Sequence, residues 1–243
     1  MSDFILEIGS EELPARFLPD QEKELRDRME AALAAAAVDF DSIEVESTPR
    51  RAMVMVRGIA AQQREVEEVV TGPPAKVAFD AEGKPLPPAE GFARTQGVDI
   101  ADTFLLDTDK GKYLAARKKI GGGKSADILA SICPEIIAAL PFPKRMRWGS
   151  GDFLYARPLR WILALLDAEV ISFSVAGVNS GCHTYGHREH SAGRLEVPAA
   201  KDYQRIIRDE GKITLPAGER RRHIMAEGEK LAKEVGGAVV WKD

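Results

Sequence analysis

The sequence predicts an α+β fold, with mixed or antiparallel sheets and packed helices arranged as one large or two small domains. β-forming runs come in adjacent pairs separated by short turn signals, as at 43–47 with 51–56 and at 104–107 with 112–116, the pattern of antiparallel hairpins. Helical-period segments interrupt these pairs at irregular intervals, which argues against a regular βαβ architecture. A chain of 243 residues, 44% of them hydrophobic, is long enough to bury a sizeable core. We place the domain division at residue 140, giving an N-terminal α+β region over 1–140 and a basic-aromatic α+β region over 141–243 that is truncated at its C-terminus.

The elements follow in order. Residues 4–8, Phe-Ile-Leu-Glu-Ile, read as a buried opening strand, ended by the loop from Gly9 to Pro14. Leu18, Leu25, Met29, Ala32, Leu33 and Ala36 recur at helical spacing and predict a helix over 20–37 with Glu22, Lys23, Arg26 and Glu30 toward solvent. Strands follow at 43–47 and 51–56 about the turn at Thr48-Pro49-Arg50, with a third at 66–70 that Gly72-Pro73-Pro74 ends. A helix over 87–96 has Pro88 in its first turn and Gly97 beyond its last. After the hairpin about 109–111 comes a helix over 125–140, capped near Ser125, with Ile128, Ile132, Ile136 and Leu140 as its stripe; Pro134 marks a kink or boundary in it. Residues 159–166 and 169–175 predict a hairpin, 177–193 a glycine-rich polar loop, 195–197 a strand, 199–209 a helix, 213–215 a strand, and 217–235 a last helix. The chain then enters 238–241 as if into a new strand, so we expect a piece of a longer protein.

Charge is unevenly placed. Residues 1–50 hold 13 acids and 5 bases, while the whole chain is formally −4, so an anionic partner is expected to meet the later part. No stretch is long and apolar enough to span a bilayer, no secretory leader opens the chain, and two cysteines, Cys133 and Cys182, form no disulfide framework. We expect a cytoplasmic protein with no membrane association.

The stretch 143–166 concentrates this later charge. It carries Lys144, Arg145, Arg147, Arg157 and Arg160 against one acid, Asp152, interleaved with Trp148, Phe153, Tyr155 and Trp161. Such a mixture binds phosphates through its cations and stacks bases on its rings; equally, its rings are core anchors and its arginines are solvated. Elsewhere, Gly121 to Lys124 lies between a strand and a helix, but a Walker A pattern would need glycine at Lys118. His183, His187 and His190 beside Cys182 match no regular zinc-finger spacing. Glu11 and Glu12 are adjacent in an extended segment, where side chains point to opposite sides, so capping suits them better than a shared carboxylate site. Arg220, Arg221, Arg222 and His223 open the last helix, where cations oppose the helix dipole and call for compensation. No Ser/His/Asp arrangement, dinucleotide fingerprint or adenylate-forming signature is recognisable.

Five motifs in order carry a family resemblance: Leu6-Glu7-Ile8-Gly9-Ser10-Glu11-Glu12-Leu13-Pro14, Thr48-Pro49-Arg50-Arg51, Gly91-Phe92-Ala93-Arg94, Met146-Arg147-Trp148-Gly149 with Ala156-Arg157-Pro158-Leu159-Arg160-Trp161, and Gly186-His187-Arg188. Together they cover nearly the whole chain, which resembles the N-terminal part of the beta subunit of bacterial heterotetrameric glycyl-tRNA synthetase. The resemblance implies ATP-dependent attachment of glycine to tRNA(Gly) by an alpha2beta2 assembly whose alpha subunit holds glycine and ATP with magnesium. This chain would then hold no cofactor and no catalytic residue of its own; it would support assembly with the alpha subunit and contact tRNA(Gly). The expected RNA-facing residues are Lys144, Arg145, Arg147, Arg157, Arg160 and Arg188, with His187 in the signature loop and Trp148 and Tyr155 either stacking or buried. Two other readings stay open: a subunit-docking module without RNA contact, and a metal-dependent hydrolytic or editing site at His183, His187 and His190.

Overall fold

The computed structural model describes residues 1–80, 82–109, 111–148, 151–191 and 193–241. Its elements run β1 (Ser2–Ser10), α1 (Leu18–Ala35), β2 (Ser42–Thr48), β3 (Arg51–Ile59), β4 (Val66–Pro74), α2 (Ala75–Ala78), α3 (Pro87–Gln96), β5 (Thr103–Thr108), β6 (Gly111–Ile120) and α4 (Ser125–Ala139). They continue through β7 (Met146–Arg147), β8 (Leu154–Tyr155), β9 (Leu159–Leu166), β10 (Glu169–Val170), β11 (Ser174–Val175), β12 (Val178–Gly181), β13 (His183–Tyr185), β14 (Arg194–Glu196), α5 (Tyr203–Asp209) and α6 (Ala217–Glu234). The architecture is α+β, as the paired β-runs predicted.

Two compact units divide the chain, one of Met1–Gln63 with Gly123–Asp243 and one of Arg64–Gly122. The expected boundary at residue 140 therefore falls inside the larger unit, because β9 returns to pair with β1. Within that unit the backbone N–H of Gln63 donates to the carbonyl of Gly123 at 2.9 Å, closing the point where the smaller unit is inserted. The smaller unit is an antiparallel sheet in the order β4-β6-β5, with Ala78, Ala89 and Leu114 in its core and Phe79, Phe92 and Ile100 packed on them.

The larger unit is built on a sheet in the order β11-β12-β9-β1-β3-β2, with β10 also pairing β9. Every pair is antiparallel except β12 with β9. Both faces are covered, so the alternation of a strand sends residues into two different cores. Phe4, Leu6 and Ile8 of β1 join Val54 and Val56 of β3 beneath Leu25, Met29 and Leu33 of α1 and Leu129, Cys133 and Ile137 of α4. Ile5 with Met53, Met55, Leu163 and Leu165 faces Tyr203, Ile206 and Ile207 of α5. Two-sided burial explains why β1 reads as a continuous apolar run, and full burial of each such side chain contributes about 1.5–3 kcal/mol.

Several local expectations are corrected. The polar segment 177–193 contains β12 and β13, because a strand needs backbone partners and not apolar side chains. The second arm of the 159–175 hairpin is split into β10 and β11, since Ile171 turns into the core and Ser180 Oγ donates to its carbonyl. Residues 213–215 and 238–241 form no strand. α4 continues through Pro134, and its buried face is Leu129, Cys133, Ile136 and Ile137, with Ile128 and Ile132 only half-buried. Ser125 does not cap that helix: its hydroxyl donates to the Ala60 carbonyl.

Candidate functional site

The site is built on a charge carried into the interior. Alternation along β1 places Glu7 and Gly9 on the α5 face, and register sets Gly9 directly between Arg51 of β3 and Trp161 of β9. A Cβ on Gly9 would lie 2.0 Å from the Trp161 ring, so only glycine lets the indole cross the strand. The indole lies over the Arg51 guanidinium, Cζ to ring centroid 5.4 Å, and 5.0 Å from the Tyr185 ring. Beneath it Arg51 Nη1 donates to Glu7 Oε1 at 2.7 Å and to Thr184 Oγ1 at 3.2 Å, and Nη2 donates to the Tyr185 carbonyl. Glu7 and Arg51 are 0% and 1% exposed. A buried ion pair depends on hydrogen bonds to its members; these contacts engage Glu7 Oε1 and both Nη atoms of Arg51, while Glu7 Oε2 and Arg51 Nε make none.

Above this pair the loop after β1 gathers cations. Glu11 receives Arg160 at 3.3 Å and Arg188 at 3.0 Å, and Glu12 receives Arg188 at 3.0 Å and Arg50 at 3.9 Å. Arg157 Nε donates to the Glu12 carbonyl at 3.1 Å. The two carboxylates thus share Arg188, contrary to the expectation that adjacent residues diverge: β1 ends at Ser10, so Glu11 and Glu12 no longer follow strand alternation. All of these groups are partly exposed, and each such pair contributes about 0.2–1 kcal/mol.

A cleft of about 650 Å³ opens beside the junction, lined by Arg50, Arg188, Lys212 and Arg220 among cations and by Glu12 and Glu189 among carboxylates. Its rim at His187 is docked by that residue's backbone N–H donating to the Gly211 carbonyl at 2.7 Å. Gly186 permits this approach, since a Cβ there would fall 2.0 Å from Ser191 Oγ. Lys212 holds φ 55°, a left-handed backbone that lysine adopts at a cost. Arg220 donates to the carbonyls of Thr214, Leu215 and Ser47, which supplies the compensation its helix position called for. Burial, and next the charge of Arg188, hold the Arg50 guanidinium below its ordinary pKa.

The remaining candidates sit elsewhere in the larger unit. Lys144, Arg145 and Arg147 are exposed at and before the β7–β8 hairpin; Arg147 lies 3.8 Å from Asp152, and no carboxylate among the described residues pairs with Lys144 or Arg145. Trp148 is 37% exposed and its Nε1 donates to the Tyr155 carbonyl at 3.3 Å. Tyr155 is buried, edge-on to Phe142 at 4.8 Å and stacked with Phe153 at 5.9 Å. Gly149 lies outside the described residues. His187 and His190 stack at 4.5 Å, while His183 Nδ1 faces Cys182 Sγ at 3.5 Å. Among the described residues no group of three or more His, Cys, Asp or Glu side chains is placed to hold a metal ion. Gly121 and Gly122 take positive φ, so that glycine run is a backbone turn. Sequence reasoning passed over Arg50, Lys212 and the Glu7–Arg51 pair as site residues; the readable signal was a single carboxylate in the apolar run 4–8 and a single guanidinium at the head of the apolar run 51–56.

These features define an α+β module in which guanidinium groups pair with the chain's own carboxylates and carbonyls. The family model described as "Glycyl-tRNA synthetase beta subunit" matches residues 4–243. The chain is 58% identical over its whole length to the glycine--tRNA ligase beta subunit of Nitratidesulfovibrio vulgaris, covering 35% of that protein. It is 49% identical over 99% of its length to the one from Solidesulfovibrio magneticus and 40% identical over 98% to the one from Geobacter metallireducens, covering 34% of each. The chain belongs to the glycyl-tRNA synthetase beta subunit family. It spans about a third of the length of these curated relatives. Among the described residues no helix is long and apolar enough to cross a membrane.

Proposed function

We propose that the chain is a non-catalytic part of a cytoplasmic glycyl-tRNA synthetase that contacts tRNA(Gly) and supports assembly with the alpha subunit, where glycine and ATP with magnesium are handled. One observation carries the RNA contact: Lys144, Arg145 and Arg147 project at the exposed β7–β8 hairpin beside the half-exposed Trp148, with only a loose carboxylate neighbour at 3.8 Å. Cations free of strong internal pairs are those available to phosphates, and an exposed indole offers a stacking face. Arg157, Arg160 and Arg188 differ, being engaged by the chain's own residues 11 and 12. That engagement supports an internal structural role for these three: they tie chain segments together, and their expected role in RNA contact narrows to what remains exposed.

The test is titration of tRNA(Gly) and an unrelated tRNA at two salt concentrations against the parent and a Lys144→Ala, Arg145→Ala, Arg147→Ala variant. The expected result is weaker binding with a salt slope reduced by about 0.9 for each phosphate contact removed. Equal affinity and equal slope would overturn the RNA assignment of the hairpin.

A further inference from the structure

We propose that the cleft between Arg50 and Arg188 binds a phosphate group, which takes the position that the Glu12 carboxylate fills in this structure. The proposal goes beyond the tRNA contact of the β7–β8 hairpin and is independent of it.

Geometry comes first. Arg50 and Arg188, distant in sequence, are brought together by the β2–β3 turn and the loop after β13, and both meet Glu12, at 3.9 Å and 3.0 Å. Arg50 Nε is buried with no hydrogen-bond partner, its distance to Glu12 being too long for one. A donor removed from water and left unsatisfied is costly, and an anion with more oxygens than one carboxylate would satisfy it. Phosphate is that anion, because it offers oxygens enough for two planar forks at once.

The surroundings point the same way. Glu11 is already divided between Arg160 and Arg188, so the two carboxylates of this loop serve three guanidinium groups. Lys212 adds a further cation on the cleft wall in a left-handed backbone held between Gly211 and Ile213, and no carboxylate among the described residues pairs with it. Trp161 lies against the Arg50 guanidinium, Cζ to ring centroid 5.7 Å, a cation–π contact that restrains it beside the cleft. The volume, about 650 Å³, exceeds what a bare phosphate fills and leaves room for the ester group it carries. Glu12 is therefore a resident competitor: it keeps the two guanidinium groups together while the cleft is empty and yields to a better anion.

This account makes an unusual demand on one variant. Glu12→Gln removes the carboxylate that both guanidinium groups meet, releasing Arg50 and leaving Arg188 paired with Glu11 alone. The experiment is isothermal titration of the 243-residue chain with inorganic phosphate in low-ionic-strength chloride buffer, for the parent, Glu12→Gln and Arg50→Gln. The expected result is about tenfold tighter phosphate binding by Glu12→Gln, the magnitude of one charge-assisted contact released, and loss of measurable binding in Arg50→Gln. Phosphate binding no tighter in Glu12→Gln than in the parent, or no binding by either protein, would overturn the proposal whatever becomes of Arg50→Gln.

A second arm identifies the source of the phosphate by competition, using a short oligoribonucleotide with and without a 5′-phosphate. Displacement of inorganic phosphate by the phosphorylated form alone assigns the cleft to a terminal monoester, and equal displacement by both assigns it to an internal diester. Displacement by neither leaves a small phosphorylated molecule as occupant and upholds the site. The Lys144, Arg145 and Arg147 variant is expected to bind inorganic phosphate as the parent does, so failure of the hairpin assignment and failure of the cleft assignment are separately visible.

Discussion

At Arg51 a full charge is carried to 1% exposure, and what surrounds it decides the outcome. The partner Glu7 and the acceptors at Thr184 and Tyr185 make the pair tolerable, but removing one member leaves the other buried and uncompensated. Glu7→Gln or Arg51→Met is expected to lower unfolding free energy by about 3–5 kcal/mol, while Glu7→Gln with Arg51→Met together recovers part of it. Denaturant melts of the three variants check this; additive losses would mean the two groups do not act as a pair. Glu46 shows the opposite case. Burial first, and then the charge of Glu22, raise its pKa above the ordinary 4.5, against the lowering influence of the Ala217 N–H and Arg220. The folded chain thus holds this proton more tightly than the unfolded chain does. That contribution is complete below the unfolded pKa and is lost as pH rises through the folded one. Glu46→Gln is therefore expected to stabilise the protein more near pH 7 than near pH 4, each judged by thermal melting against the parent.

Among the elements, α4 sets propensity against packing. Pro134 lies inside it and lacks the N–H that a helix interior uses, yet Cys133, Ile136 and Ile137 are buried against the sheet and hold the helix through the proline. Pro134→Ala is expected to stabilise the fold by about 1–2 kcal/mol, less than the roughly 3 kcal/mol of a free helix because proline also restricts the unfolded chain. An unchanged or lowered midpoint would show that the proline is packed without strain. The contrasting element is α6, in which no residue is buried and Ile224 and Leu231 are exposed. Its attachment in the first turn runs through Arg220, whose side chain reaches the Ser47 carbonyl on β2 and so links the helix to the sheet that carries the cleft.

At the scale of the molecule, the chain leaves the larger unit at Gln63 and re-enters it at Gly123, two residues joined by a backbone hydrogen bond of 2.9 Å. Insertions are tolerated where chain ends already meet. A variant in which residues 64–122 are replaced by a short glycine-serine linker is expected to keep a cooperative melt, and also to keep phosphate binding, because every cleft residue lies in the larger unit. A non-cooperative melt would show that the larger unit does not fold without the smaller one.

Local chemistry made much of the fold legible. Paired β-runs gave the antiparallel ladders of β2 with β3 and β5 with β6, apolar spacing gave α1, and Gly97, at φ 68°, closed α3 where expected. The motifs at 6–14, 48–51, 157–161 and 186–188 were visible as separate words, and the structure brings them into contact through Glu11, Glu12 and Trp161. Only tertiary structure decided that Glu11 and Glu12 converge on Arg188, that Arg50 and Arg188 face each other, and that Gly9 makes room for Trp161. It also decided that polar residues 178–185 become strands. The physical reason is the same in each case. Helical period and turn chemistry are written within a few residues, whereas backbone ladders and ion pairs depend on which distant segments the assembled sheet brings within hydrogen-bond reach, and no local pattern records that distance.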